Sequence, residues 1–430
     1  MIYLISFISP FISLFNFLIQ ILLVRSFGLG EKLDIYFLTL SIPFFLYQIV
    51  HAGFTFGIMP ILSNDKTKEN NFYIYQMFLI LCFLIAFLYF LASFFITYQI
   101  NFYKIFNDLD LEEFKFSFAL AWIYGAFAII LASLGTLYIS EKKYILGVLL
   151  PFAPQFGLFL ALILFGKNLD VSHLIFSSII GSFFGILFFS KSILIYLKSL
   201  FHLEFSKISL KPFFNAMLYA GVGSSIFGSY VFIDSLLGPA FGTGVLTSLG
   251  YSQRIIIGFG GIAILGLFTV AVPELKEKLY EGAWIGFYNH LKKLLTKAFI
   301  FSVILSLFMY LFIDIFIDVF FISEKFSQSN ALILAGLIKY MLPGMTAMLL
   351  ANICLKALFC MDKIKTITVF IGIFWPVSYI FFINYFKNFG AFSFGISYSI
   401  SWISLTTMIC LYLLIRVKKE IKQNNYFQRK

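Results

Sequence analysis

The sequence predicts an all-α polytopic membrane protein, with about twelve transmembrane helices in two pseudo-symmetric six-helix bundles around a central cavity. Three observations predict it. Hydrophobic residues make up 61% of the 430 and charged residues only 12%, about half the roughly 25% that covers a soluble domain. The mean hydropathy is +0.96, so much of the surface must face lipid. Apolar runs of the roughly 20 residues that cross a hydrocarbon core recur along the whole chain. Basic residues, finally, alternate between the two ends of successive runs in the way that sets membrane orientation.

The first run, 2–24, lacks a basic leader and a small-residue cleavage site, so it reads as a retained helix and not a signal peptide. Further runs follow at 35–62, 72–99, 116–139, 144–166 and 171–197. A polar, basic stretch at 199–211 separates them from 212–237, 244–273, 294–322, 331–358, 364–386 and 391–415. The predicted organisation is therefore a bundle at 1–198, a cytoplasmic linker at 199–211, and a bundle at 212–430 ending in a short basic tail. With the N-terminus placed in the cytoplasm, 22 of the 31 basic residues fall on the cytoplasmic side and 7 on the other. Both termini are then cytoplasmic, in a multi-pass membrane protein. Arg254 and Lys339 remain inside apolar runs.

The net charge of +11 does not point to nucleic acid, because no basic stripe with interleaved aromatics lies outside the apolar runs. The cysteines, Cys82, Cys354, Cys360 and Cys410, are scattered without metal-ligand spacing and read as small buried hydrophobes. No cofactor is expected. No phosphate-binding glycine motif is present for nucleotide-driven transport. The loops are too short to carry the catalytic groups of a membrane-embedded transferase.

The two halves share a short pattern. Phe27-Gly28-Leu29-Gly30 precedes helix two, with Pro60 33 residues after Phe27; Phe241-Gly242-Thr243-Gly244 precedes helix eight, with Pro273 32 residues after Phe241. Gly53 and Gly266 each stand seven residues before their proline. A parallel repeat of six helices accounts for this, and carriers that alternate access place their site at such a repeat interface. The alternative is that Phe-Gly-x-Gly merely ends helices, since glycine readily takes the left-handed cap.

Several stretches resemble the lipid II flippase family (MurJ, also called MviN) within the group that includes polysaccharide flippases and multidrug exporters. They are Val24-Arg25-Ser26-Phe27-Gly28-Leu29-Gly30 with Asp34-Ile35-Tyr36-Phe37; Ser133-Leu134-Gly135 with Leu150-Pro151-Phe152-Ala153-Pro154; Tyr251-Ser252-Gln253-Arg254-Ile255 with Pro273-Glu274-Leu275; and Lys356-Ala357-Leu358-Phe359. The resemblance implies a transporter of an undecaprenyl-pyrophosphate-linked saccharide, with lipid II-like peptidoglycan precursor as cargo and membrane lipid as surroundings. It implies a location in the bacterial inner membrane and no enzymatic reaction, and a monomer is expected. The sequence departs from the family at Ser13, Ile19, Tyr47 and Gln48, where members usually carry cavity arginines. It also has twelve helices where the family usually has fourteen. Twelve is similar to O-antigen and capsule repeat-unit flippases, the first alternative; a cation-coupled multidrug exporter is the second.

Arg254 is the leading candidate for substrate binding. It lies about ten residues into helix eight, roughly 15 Å from its end. A charge at such depth costs on the order of 3 kcal/mol unless it meets a partner or water. Its planar fork suits phosphate oxygens, and the resemblance places a substrate-binding arginine there; the alternative is an ion pair with Asp234. Lys339 either adds a phosphate contact or snorkels to the interface. Arg25 reads as a solvated helix-end charge or, from the resemblance, part of a gate. His51 falls in mid-span, as a titrating group or as a neutral imidazole hydrogen-bonded across helices. Asp234 matches a helix-seven acid that resembles a sodium ligand in the family, which makes it the candidate for sodium or proton coupling; Ser378 and Asn384 are available as companions.

Overall fold

A computed structural model describes residues 2–62, 71–99, 111–141, 143–188, 211, 214–215, 217–218, 221, 228–280, 284–361 and 364–427. Most of the predicted linker, the loop bearing Lys66 and Lys68, and the outer loop at 100–110 lie outside these residues. Among the described residues the fold is entirely helical apart from one isolated bridge between Ser323 and Phe326.

Twelve helical stretches correspond to the twelve predicted runs. They are α1 (Ile2–Phe27), α2 (Glu31–Ala52), α3 (Asn71–Gln99), α4 (Leu111–Ser140), α5 (Tyr144–Phe165), α6 (Val171–Phe188), α7 (Ser229–Leu237), α8 (Val245–Tyr280), α9 (Trp284–Phe320), α10 (Gln328–Cys360), α11 (Ile364–Tyr385) and α12 (Phe392–Phe427). Eight are long and apolar enough to cross a membrane, and Leu14–Phe27 and Ile371–Tyr385 are shorter apolar segments. Their outer faces carry large apolar side chains such as Phe95, Leu164, Phe188 and Ile415, all mostly exposed. In water such a surface would be a large unfavourable patch. In a bilayer it is the solvated face.

Two helices, α9 and α12, exceed their predicted runs by ten residues or more, and for one reason. Residues 284–293 of α9 bury Phe287 and Leu291 but expose Lys292 and Lys293. The end of α12 buries Val417 and exposes Lys418 and Lys419. These amphipathic turns extend the helix beyond the apolar run, so average hydropathy does not register them. Proline explains the breaks. A 3₁₀ turn at Leu150–Phe152 interrupts α5, where Pro151 and Pro154 lack the N–H that an α-helical ladder needs. After Ala52, α2 passes through a π-helical turn, Gly53–Ile58, into Met59–Leu62.

The chain divides into two compact units, 1–247 with Ser323–Phe326, and 248–322 with 327–430. Within the first, α4 packs on α2, α3 and α6, and α5 on α6. Within the second, α10 packs on α9 and α12, and α11 on α12. The pairs α3–α4, α4–α6 and α5–α6 thus recur six helices later as α9–α10, α10–α12 and α11–α12. In each unit the fourth helix of the six is the most enclosed, with Trp122, Ile129 and Leu131 buried on α4 and Leu337, Ile338 and Met345 on α10.

Close approach depends on glycine at particular points. In α5 and α6, a β-carbon on Gly157 would meet Gly181 Cα at 2.7 Å, and the converse holds at 2.9 Å. In the second unit the α10–α12 contact is bolted by polar atoms. Ser399 Oγ donates to the Tyr340 carbonyl at 2.5 Å and accepts from Gly344 N–H at 2.9 Å, and Thr406 Oγ1 donates to the Ala347 carbonyl at 2.8 Å. Satisfying backbone oxygens in this way adds modest energy but fixes register between apolar helices.

Candidate functional site

The first loop of the repeat turns on Gly28, whose φ of +73° is a left-handed conformation that glycine alone adopts without strain. A β-carbon there would collide with the Lys325 carbonyl, and one on Gly244 (φ +81°) would stand 3.5 Å from Leu29 Cβ. The two Phe-Gly-x-Gly loops therefore lie against each other, with Ser323–Phe326 beside them. From this loop α2 starts, and its first turn carries Asp34, which is 4% exposed.

The Asp34 carboxylate accepts three hydrogen bonds from the start of α8: Gly244 N–H at 2.5 Å, Thr247 N–H at 2.7 Å and Thr247 Oγ1–H at 2.6 Å. A helix N-terminus leaves amides unpaired and carries partial positive charge, so a carboxylate is well suited to it. The acceptor is usually a residue just before the helix; here it comes from 213 residues away. Nearby, Lys32 reaches Asp170 at 2.7 Å, between exposed side chains. Lys32 holds the Asp170 carboxyl below its ordinary range.

Further along α2, the Tyr47 ring and the His51 imidazole lie nearly parallel, 5.6 Å between centroids and 22° between planes. Tyr47 also contacts Phe44 at 5.5 Å, and Phe44 contacts Tyr124 of α4 at 4.7 Å. Gln48 Oε1 lies directly over the α-carbon of Gly228, and a β-carbon on Gly221 would collide with the Ile49 carbonyl. Tyr47, Gln48 and His51 are all half-buried.

The predicted site residues fall as follows. Arg25 is exposed in the last turn of α1, where a cation suits the helix C-terminus. Asp234 is buried on α7, one turn after the buried Tyr230. Arg254, the tenth residue of α8, is half-buried among Gln253, Ile255 and Ile256, which are buried. Lys339 on α10 is paired: its Nζ is 2.6 Å from Asp314 Oδ2 of α9 and 5.4 Å from the Tyr310 ring centroid. No hydrogen bond across helices to His51 is present among the described residues. Ser378 and Asn384 donate to carbonyls of their own helix, Trp375 and Ile380. The described residues hold no group of three metal-ligating side chains.

Sequence reading missed the Asp34 site. Its signal was an acid in the first turn after one Phe-Gly-x-Gly loop and a threonine three residues after the other.

The profile of the family described as lipid II flippase MurJ matches residues 23–428. The chain belongs to the MurJ family. Members of the MurJ family are transporters rather than enzymes, integral to the inner membrane, and the twelve helices and two-unit organisation fit that fold. Among solved structures, a lipid II flippase MurJ in an inward closed conformation superposes with a TM-score of 0.73 at 20% identity, covering 98% of this chain and 89% of that one. An inward-facing multidrug resistance MATE family transporter gives 0.71 at 13% identity, covering 97% and 99%. A Vibrio cholerae MATE transporter in its bent form gives 0.61 at 14% identity, covering 97% and 98%. At such identities these likenesses speak to the fold alone. No curated sequence matches the chain.

Proposed function

We propose that this protein translocates an undecaprenyl-pyrophosphate-linked saccharide, a lipid II-like peptidoglycan precursor, across the inner membrane by alternating access. The observation that carries this reading is the MurJ profile match over residues 23–428. A diphosphate and its saccharide must pass hydrocarbon while the lipid tail remains outside. That task needs a cation away from bulk water, and Arg254 supplies a half-buried guanidinium in a mostly apolar helix. Arg254 is assigned to the phosphates. Lys339, already held by Asp314, is assigned to the α9–α10 contact. Arg25, in the last turn of α1 beside the loop to α2, would act on access there. Asp234 would couple transport to sodium or protons. The lobes would be 1–198 and 212–430, joined by 199–211, with both termini cytoplasmic. The protein would work as a monomer without a cofactor.

The substitution of Tyr47 and Gln48 for the family's usual arginines favours a second cargo, an O-antigen or capsule repeat unit. Complementation of a strain depleted of its lipid II flippase separates the two. Growth should be restored by the wild type, abolished in Arg254→Ala with membrane insertion intact, and partly retained in Arg254→Lys, which keeps charge but loses the fork. Failure of the wild type to complement, with rescue of a capsule flippase mutant instead, would replace the cargo. Reporter fusions after Lys68 and Lys211 should read cytoplasmic.

A further inference from the structure

We propose that Cys354 and Cys410 form an oxidation site of the second unit, where an organic hydroperoxide carried in the membrane closes the two thiols to a disulfide. The site is the last rung of a ladder between α10 and α12. Ser399 Oγ meets the Tyr340 carbonyl and the Gly344 amide, and Thr406 Oγ1 meets the Ala347 carbonyl. Tyr340, Ala347 and Cys354 follow one another at intervals of seven residues, about two helical turns, so one face of α10 carries all three. The first two rungs are hydrogen bonds from hydroxyl to backbone. The third sets a thiol on each helix, with the sulfurs 3.2 Å apart. Thiols are weak donors and weak acceptors, so as a hydrogen bond this rung adds the least of the three. As a covalent site it is nearly assembled. A disulfide needs about 2.05 Å between sulfurs, and the other two rungs already fix the helices that must approach.

The order of reaction follows from burial. Cys354 is fully buried, whereas Cys410 is half-buried. Next to Cys410, Leu411 and Tyr412 expose large side chains on the apolar surface of α12. An oxidant dissolved among lipid chains therefore meets Cys410 first. Cys410 Sγ attacks the terminal peroxide oxygen, the O–O bond breaks, and the alcohol leaves with the thiol proton. Cys354 Sγ then attacks the sulfur of the Cys410 sulfenic acid, the S–OH bond breaks, and water leaves with the Cys354 proton. Two thiols and one hydroperoxide thus give one disulfide, one alcohol and one water, with two electrons passing from sulfur to peroxide oxygen. A sulfenic acid beside a second thiol stops at the disulfide, which reductants reverse; one without such a neighbour proceeds to sulfinic and sulfonic acids. The link joins two helices of the same unit, so it stabilises that unit.

The test treats the purified full chain in lipid nanodiscs with cumene hydroperoxide or hydrogen peroxide, then denatures, alkylates and maps it by mass spectrometry without reduction. A peptide pair linked through Cys354 and Cys410 should appear and be released by dithiothreitol, while Cys82, buried in the first unit, stays open to alkylation. Cumene hydroperoxide should react about tenfold faster or more, because its apolar body partitions into the bilayer. Faster reaction with hydrogen peroxide overturns the route through lipid. Cys354→Ser should leave Cys410 as a sulfenic acid that dimedone captures, and Cys410→Ser should leave Cys354 unoxidised. The oxidised wild type should melt about 5 °C above the reduced form, since the link closes a loop spanning 56 positions. If a variant does not fold, the reduced and oxidised wild types carry the comparison. Absence of the linked peptides, sulfinic acid on Cys410 of the wild type, or equal melting of the two forms overturns the site.

Discussion

Asp34 on α2 caps α8 through Gly244 and Thr247, so the two Phe-Gly-x-Gly loops are joined by a carboxylate on a helix N-terminus. Three donors depend on that one side chain. Asp34→Ala leaves two amides and a hydroxyl unpaired in a buried place and should destabilise by about 2 kcal/mol or more. Asp34→Asn keeps an acceptor but removes the charge, and should cost less. Thermal unfolding in detergent ranks the two; equal melting of Asp34→Ala and wild type would refute the cap.

Gly28 and Gly390 both have positive φ, +73° and +58°, but differ in surroundings. A β-carbon on Gly390 meets nothing within 4 Å, whereas on Gly28 it meets the Lys325 carbonyl. Gly390→Ala should therefore show only backbone strain, about 1–3 kcal/mol for its φ of +58° and ψ of −136°. Gly28→Ala must also displace the Ser323–Phe326 loop and should lower the melting temperature more. The order of the two melting temperatures is the check.

Cys354 and Cys410 lie 56 positions apart, yet their sulfurs are 3.2 Å apart in the α10–α12 contact. A copper–phenanthroline oxidant, taking two electrons and two protons from the thiols, should join α10 to α12 by a disulfide. Maleimide labelling should then fall by two sites, and Cys410→Ser should block the change. Undiminished labelling would contradict the packing of these helices.

The Lys32–Asp170 pair should give a small acid dependence. Lys32 depresses the folded-state pKa of Asp170, so its contribution is present above the unfolded carboxylate value of about 4. It is lost as pH falls through the lower folded value. Both side chains are half exposed, which limits the effect to less than about 1 kcal/mol. Melting curves of wild type and Lys32→Ala should differ at pH 6 and converge at strongly acidic pH.

The membrane class, the twelve helices and the family resemblance were legible in the order of residues, because apolar run length and charge alternation act locally and hydrocarbon imposes them segment by segment. The repeat was legible for the same reason: Gly28 and Gly242, at equivalent positions of the two Phe-Gly-x-Gly loops, both take positive φ where the chain turns. The ends of α9 and α12 were not, since there one face is buried and the other charged, and only the packed neighbour reveals which. Tertiary structure alone decided that Asp34 caps a helix 213 residues away, that Lys339 belongs to Asp314, that Cys354 meets Cys410, and that Tyr47 and His51 stack. Each of these depends on which helices become neighbours. Helices of nearly uniform apolar character carry little information about their partners, and it is the few polar atoms, once brought together, that distinguish one packing from another.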